Sequence, residues 1–97
     1  MPKVLDAAAV TERLSTMDGW TGDTGQIGKT VELPSFPAAI DVVTRVADVA
    51  EELDHHPDID IRWRTLRFSL STHSAGGVTE KDFGLAKRID DILAVFP

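Results

Sequence analysis

All three histidines of the chain fall between positions 55 and 73. His55 and His56 are adjacent and precede Pro57, and His73 stands apart. Histidine is the side chain best matched to proton transfer near neutral pH. Glu51, Asp54, Asp58 and Asp82 are the carboxylates nearest in sequence. This set allows general acid–base chemistry. It also allows a metal site, since three histidines and a carboxylate form a plausible ligand set. Helical zinc motifs, however, space their histidines four apart on one face. Adjacent residues point in different directions, so the His55-His56 pair argues against a metal. The sequence has no cysteine, which removes thiolate chemistry and disulfides.

Each of these residues also has a plainer reading. A lone histidine is more often a surface or hydrogen-bonded structural residue than a catalyst, and this applies most to His73. Asp82 lies three residues after Thr79, where a carboxylate caps a helix N-terminus. Glu51 reads as a solvated helix residue unless a site recruits it. Trp20 and Trp63 read as core, and Arg62, Arg64 and Arg67 as a solvated strand face.

The elements that must position these residues follow from periodicity. Residues 6–17 are rich in helix formers, with Leu5, Ala8, Ala9 and Leu14 roughly on one face. Asp18-Gly19 stops that helix. Trp20 then opens the first arm of a β-hairpin that turns at residues 22–25, and Ile27, Thr30, Val31 and Leu33 form the second arm. Ser35 caps the next helix and Pro37 is tolerated in its first turn. Ile40, Val43, Ala47 and Ala50 make its expected core stripe. The helix should run to about Leu53 and end before Pro57, which disfavours helix in the residue preceding it. Loops at such element ends are where sites are usually built.

In Ile59-Asp60-Ile61-Arg62-Trp63 the apolar positions are odd. In Leu66-Arg67-Phe68-Ser69-Leu70 they are even. One regular strand cannot bury both sets, so a tight turn or a bulge must separate them; two strands joined by a turn are expected. The even set is also a candidate edge strand for pairing between subunits. After the loop at residues 74–77, Thr79 starts a last helix with Phe83, Ala86, Ile89, Leu93 and Phe96 on its buried side. The order is α-β-β-α-β-β-α. It predicts an α+β fold, an antiparallel sheet with helices packed on one face, in one domain over residues 1–97.

Bulk properties narrow the function. The net charge of -6 argues against a phosphate-backbone or anionic-membrane partner. No apolar run approaches the roughly 20 residues of a membrane helix, and no signal peptide is read at the start. A cytoplasmic location is expected.

Taken together, Glu51-x-x-x-His55-His56-Pro57, then Trp63, His73 and Asp82 resemble the signature of the pterin-4a-carbinolamine dehydratases. The flanks resemble that family too: Gly19-Trp20 before a hairpin, an Ala-rich helix running into Glu51-Glu52, and Leu70-Ser71-Thr72-His73 followed by Gly76-Gly77-Val78-Thr79. The resemblance covers residues 19–92, about. It departs at Val31 and Leu33, where relatives often carry aromatics, and at Trp63, where tyrosine is commoner.

The resemblance implies a four-stranded antiparallel sheet, no metal or organic cofactor, and a homodimer or homotetramer. It implies loss of water from a 4a-hydroxytetrahydropterin to give quinonoid dihydropterin, as in tetrahydrobiopterin recycling. His55, His56 and His73 take the catalytic positions. Asp54, Pro57, Ser71, Thr72 and Ser74 take substrate-contacting positions, and Glu51, Trp63 and Asp82 supporting ones. Glu51 or Asp54 would orient an imidazole. Asp82 is expected to cap the last helix, outside the catalytic core. Which histidine is acid and which base stays open. Two other functions are compatible with the fold: a protein-interaction module acting as coactivator or assembly factor, and a pterin binder without turnover.

Overall fold

A two-residue loop between antiparallel strands pairs odd positions with even ones, and this resolves the change of phase in the second hairpin. The computed structural model describes residues 3–96. In it β3 (Asp58–Arg62) and β4 (Thr65–Leu70) pair antiparallel. Arg62 lies opposite Thr65, so Trp63 and Arg64 alone make the turn. Ile59 then faces Phe68 and Ile61 faces Leu66, and both apolar sets share one side of the sheet.

The first hairpin joins β1 (Thr21–Gly22) to β2 (Ile27–Glu32). Its turn depends on Gly22, whose φ is 147° and whose added Cβ would meet the Gln26 carbonyl oxygen at 2.2 Å. The four strands run in the order β1-β2-β4-β3. β4 is therefore interior, with Leu66 and Phe68 fully buried. The expectation that Leu66, Phe68 and Leu70 form an edge is corrected: β2 and β3 take both sides of β4, and the edges are β1 and β3.

Three helices complete the expected order: α1 (Ala7–Ser15), α2 (Phe36–Leu53) and α3 (Glu80–Leu93). Their buried residues meet Ile27, Leu66, Phe68 and Leu70 in one core: Val10 from α1, Ala39, Val42 and Val46 from α2, and Phe83, Leu85, Ala86 and Ile89 from α3. The opposite side of the sheet carries the exposed row Thr30, Arg67 and Asp60. Ser35 before α2, with proline in its first turn, and Thr79 before α3 cap where expected, and Asp6 caps α1.

Two stripes were misplaced by periodicity. On α2 the buried residues are Ala39, Val42, Val46 and Ala50, one position away from the expected Ile40, Val43 and Ala47. Both sets have helical spacing, so the pattern could not choose between them; Ile40 is left 38% exposed. On α1 the buried residue is Val10; of the expected face, Leu5 and Leu14 do pack partly buried against the core, while Ala8 is exposed. Trp20 is core as expected, its indole N–H donating to Asp90. Trp63 is not core: it is 74% exposed, because a residue leading a tight turn leaves the sheet face.

Trp63 also has φ of 58°. A side chain in the left-handed region costs about 1–2 kcal/mol, and this one recovers little by burial. Trp63→Gly is expected to stabilise the protein by about 0.5–1 kcal/mol after the backbone entropy of glycine is counted. Thermal unfolding would show this as a rise of a few degrees in Tm. A fall in Tm would mean that the exposed indole packs more strongly than its contacts indicate.

Candidate active site

The carboxyl end of α2 sets the two adjacent histidines on different courses. Asp54 takes the left-handed conformation with φ of 50°. The Asp54 N–H donates to the Glu51 carbonyl at 3.2 Å and the His55 N–H to the Ala50 carbonyl at 3.0 Å. These are the paired bonds of a Schellman turn. Beyond it the His55 side chain is only 10% exposed and the His56 side chain is 56% exposed. Pro57 follows, half-buried, and β3 begins.

Each imidazole meets one carboxylate through Nε2. His56 Nε2 lies 2.6 Å from Glu51 Oε1, one helical turn back on α2 and exposed. His55 Nε2 lies 2.6 Å from Asp82 Oδ1, which belongs to the first turn of α3. An ionised carboxylate only accepts, so in both pairs Nε2 carries the proton and Nδ1 is left over.

Asp82 has no exposed surface. Its second oxygen, Oδ2, accepts the Thr79 N–H at 2.9 Å and the Thr72 hydroxyl at 2.8 Å. The Thr72 and Thr79 hydroxyls are themselves 2.7 Å apart, and the Lys81 N–H donates to Thr79 Oγ1 at 3.2 Å. Asp82 is thus the capping carboxylate expected from its spacing, and it is also the partner of His55. Of the two carboxylates expected to orient an imidazole, Glu51 is the one in contact with a ring, that of His56. Asp54 is exposed and serves the backbone turn.

Other residues singled out in the sequence are distributed unevenly. Thr72 bonds through its backbone to Gly77 and is buried. His73, the next residue, is exposed in the turn that follows β4, as is Ser74. The Thr72–Asp82–His55 bonds therefore bring the backbone of His73 to the end of the molecule where α2 terminates. Ser71 Oγ donates to the Gly25 carbonyl at 2.8 Å, which ties it to the first hairpin. Trp63 stands at the far end of β3 from His56, with the whole strand, roughly 15 Å long, between them, and is not brought to the histidines.

A separate surface hollow lies between α1 and α3, lined among others by Arg13, Met17, Phe83, Lys87 and Asp90. It contains no histidine. Among the described residues no helix is long and apolar enough to cross a membrane, and no group of three or more histidine, aspartate or glutamate side chains is arranged to hold a metal ion.

The chain is similar to known proteins over nearly its whole length. A family model described as "Pterin 4 alpha carbinolamine dehydratase" matches residues 3–92. A protein of Roseiflexus castenholzii, provisionally named a pterin-4-alpha-carbinolamine dehydratase, is 55% identical over 93 residues, covering 96% of this chain and 100% of its own. One of Nocardia farcinica with the same provisional name is 50% identical, covering 93% and 95%. Among solved structures, a "transcriptional coactivator/pterin dehydratase" from Brucella melitensis aligns with a TM-score of 0.87 at 31% identity, over 91% of this chain and 96% of that one. A pterin dehydratase-like RuBisCO assembly factor shares the fold at a TM-score of 0.62 and 20% identity, over 75% and 84%.

The two carboxylates predict opposite responses to truncation. Asp82→Ala leaves a backbone N–H, a hydroxyl and an imidazole N–H without their acceptor, and should cost about 2–4 kcal/mol. Glu51→Ala removes an exposed partner and should change stability by no more than about 0.5 kcal/mol. Urea unfolding midpoints of the two variants would separate them. Equal losses would contradict the buried and exposed assignments.

Proposed function

This chain belongs to the pterin 4 alpha carbinolamine dehydratase family, and we propose that it carries out that dehydration on a 4a-hydroxytetrahydropterin. The observation that supports this most is the pair of carboxylate–histidine contacts at the end of α2, at 2.6 Å each. In the reaction the bond between C4a and its hydroxyl oxygen breaks. That oxygen takes up a proton and leaves as water. A ring nitrogen gives up a proton, and the electron pair closes the quinonoid system. The protein's part in this elimination is proton transfer, and the proposal invokes no metal and no organic cofactor.

Three imidazoles suit this work. His56 and His73, both exposed, handle the leaving hydroxyl and the ring proton, while His55, held by Asp82, positions the pterin. Glu51 orients His56 and supports the cationic form that appears when it takes a proton. Asp54, Pro57, Ser74 and the backbone around Thr72 line the approach of the substrate. Physiologically the activity would serve tetrahydropterin recycling in the cytoplasm.

A protein-interaction role is the second reading, because the 31% identical Brucella melitensis chain is named for both coactivation and dehydration. The two roles are compatible. Assembly into a homodimer or homotetramer belongs to the proposal as well. It is supported by the large apolar side chains left outside the core, Phe36, Ile40, Leu53 and Ile61, at 38–47% exposure.

Replacing His55, His56 and His73 singly with alanine should lower the dehydration rate by about 10²–10⁴-fold for each residue that transfers a proton. The assay follows decay of a freshly generated 4a-hydroxytetrahydropterin. Near-normal rates in all three variants would sink the catalytic reading. Titration of the wild type with a pterin product analogue then distinguishes a binder without turnover from a protein that ignores pterins. Sedimentation equilibrium should give two or four times the chain mass, and a monomer at micromolar concentration would overturn that part.

A further inference from the structure

We propose that Thr72 is a positioning residue for His55, acting through Asp82 and not by touching the substrate. The inference rests on the pterin-binding role given to His55 above and names the atom through which that role works.

The hydroxyl of Thr72 has no route to a ligand. Thr72 is 3% exposed, and its Oγ1 sits 2.8 Å from Asp82 Oδ2 and 2.7 Å from Thr79 Oγ1. The direction of each bond follows from the chemistry of the groups. The Lys81 N–H can only donate, and it donates to Thr79 Oγ1. An ionised Asp82 can only accept, so Thr72 gives it a proton. Thr79 must then give its own hydroxyl proton to Thr72. The result is one ordered run of donors: Lys81 N–H to Thr79, Thr79 to Thr72, Thr72 to Asp82 Oδ2. No buried side-chain polar atom among the described residues lacks a partner, so the run has no slack at either end.

This arrangement fixes the plane of the Asp82 carboxylate. Oδ2 is held by two donors, the Thr79 N–H and the Thr72 hydroxyl. Oδ1 is thereby aimed at His55 Nε2, 2.6 Å away. The proton stays on Nε2, donated to Asp82 Oδ1, whether the imidazole is neutral or cationic. Nδ1 is then the atom of His55 that meets the substrate. In the neutral ring it is an acceptor, which suits the N–H donors along the edge of a pterin. Without Thr72 the carboxylate keeps one anchor on Oδ2 and gains freedom to turn. The imidazole can then place its proton on Nδ1, presenting a donor where the pterin needs an acceptor.

The test begins on the protein without any pterin. Long-range ¹⁵N–¹H correlation spectra report which ring nitrogen of His55 is protonated, and this does not depend on turnover. The wild type should show the Nε2–H form. Thr72→Val, which keeps the shape and removes the hydroxyl, should show a mixture with the Nδ1–H form. Thr72→Ser should restore the wild-type pattern. In the dehydration assay Thr72→Val should raise KM by about tenfold, the loss of one hydrogen bond to a charged group, with a smaller change in kcat, and Thr72→Ser should reverse it. A Thr72→Val spectrum identical to wild type overturns the proposal, as does a wild-type His55 protonated on Nδ1. Should the valine variant not fold, the wild-type and serine spectra decide: Nε2–H in both supports the proposal, and Nδ1–H in either overturns it. Expected spectra in a protein that dehydrates no pterin would leave the Thr72 assignment standing and remove the catalytic one.

Discussion

A carboxylate shut away from water must have its lone pairs answered by donors, because leaving them bare in a low-dielectric interior is costly. Asp82 is in that position, and the donors that answer it come from three parts of the chain. Thr79 belongs to the start of α3, Thr72 to the segment leaving β4, and His55 to the turn that ends α2. One side chain thereby joins two helices and the exit of the central strand. The remaining features of the site depend on it. The capping of α3, the burial of His55 and the placement of the His73 backbone all change if that carboxylate is removed.

The sheet supplies the frame on which this junction rests. β4 is interior and its apolar residues are buried between its neighbouring strands and the helices as far as its exit at Leu70. Edge strands carry the exposed parts instead. β1 is two residues long and β3 is largely exposed. Short or charged edges are a common protection against unwanted strand pairing, and Asp58, Asp60 and Arg62 give β3 that character. The histidines therefore hang from the stable centre through Thr72 and from the helix layer through α2, and not from the edge.

What could be read in advance was whatever depends on neighbours along the chain. The change of parity between Trp63 and Leu66 announced a break, a tight turn or a bulge, between two strand segments. Ser35 with Pro37, and Thr79 with Asp82, marked helix starts. Pro57 marked the end of α2. Features set by distant contacts were not legible. Two stripes on α2 share the same spacing, and only the sheet decides that Val42 and Val46 go inside while Ile40 stays out. Strand order is likewise a long-range property, which is why Leu66, Phe68 and Leu70 could be mistaken for an edge. At the site, Glu51 and His56 are close in sequence, and Glu51 was one of two carboxylates expected near an imidazole. His55 and Asp82 are not, and the capping role of Asp82 used only one of its two oxygens. The unassigned oxygen was the available clue, since a buried carboxylate seldom leaves one idle.

The Schellman turn at Asp54 has a consequence for timing. It sends one histidine inward and its neighbour outward, so the two rings live on different clocks. His56 is exposed and its partner Glu51 is exposed too, so its ring can trade protons with the surrounding water without any opening of the fold. The ring of His55 is wedged against a buried anion, and its Nε2 proton reaches water only when that part of the fold opens, a far rarer event. In the proposed dehydration, reloading from bulk water would fall to the exposed rings of His56 and His73. The Nε2 proton of His55, turned toward the buried Asp82, would be a fixture of the structure and not a participant in that traffic.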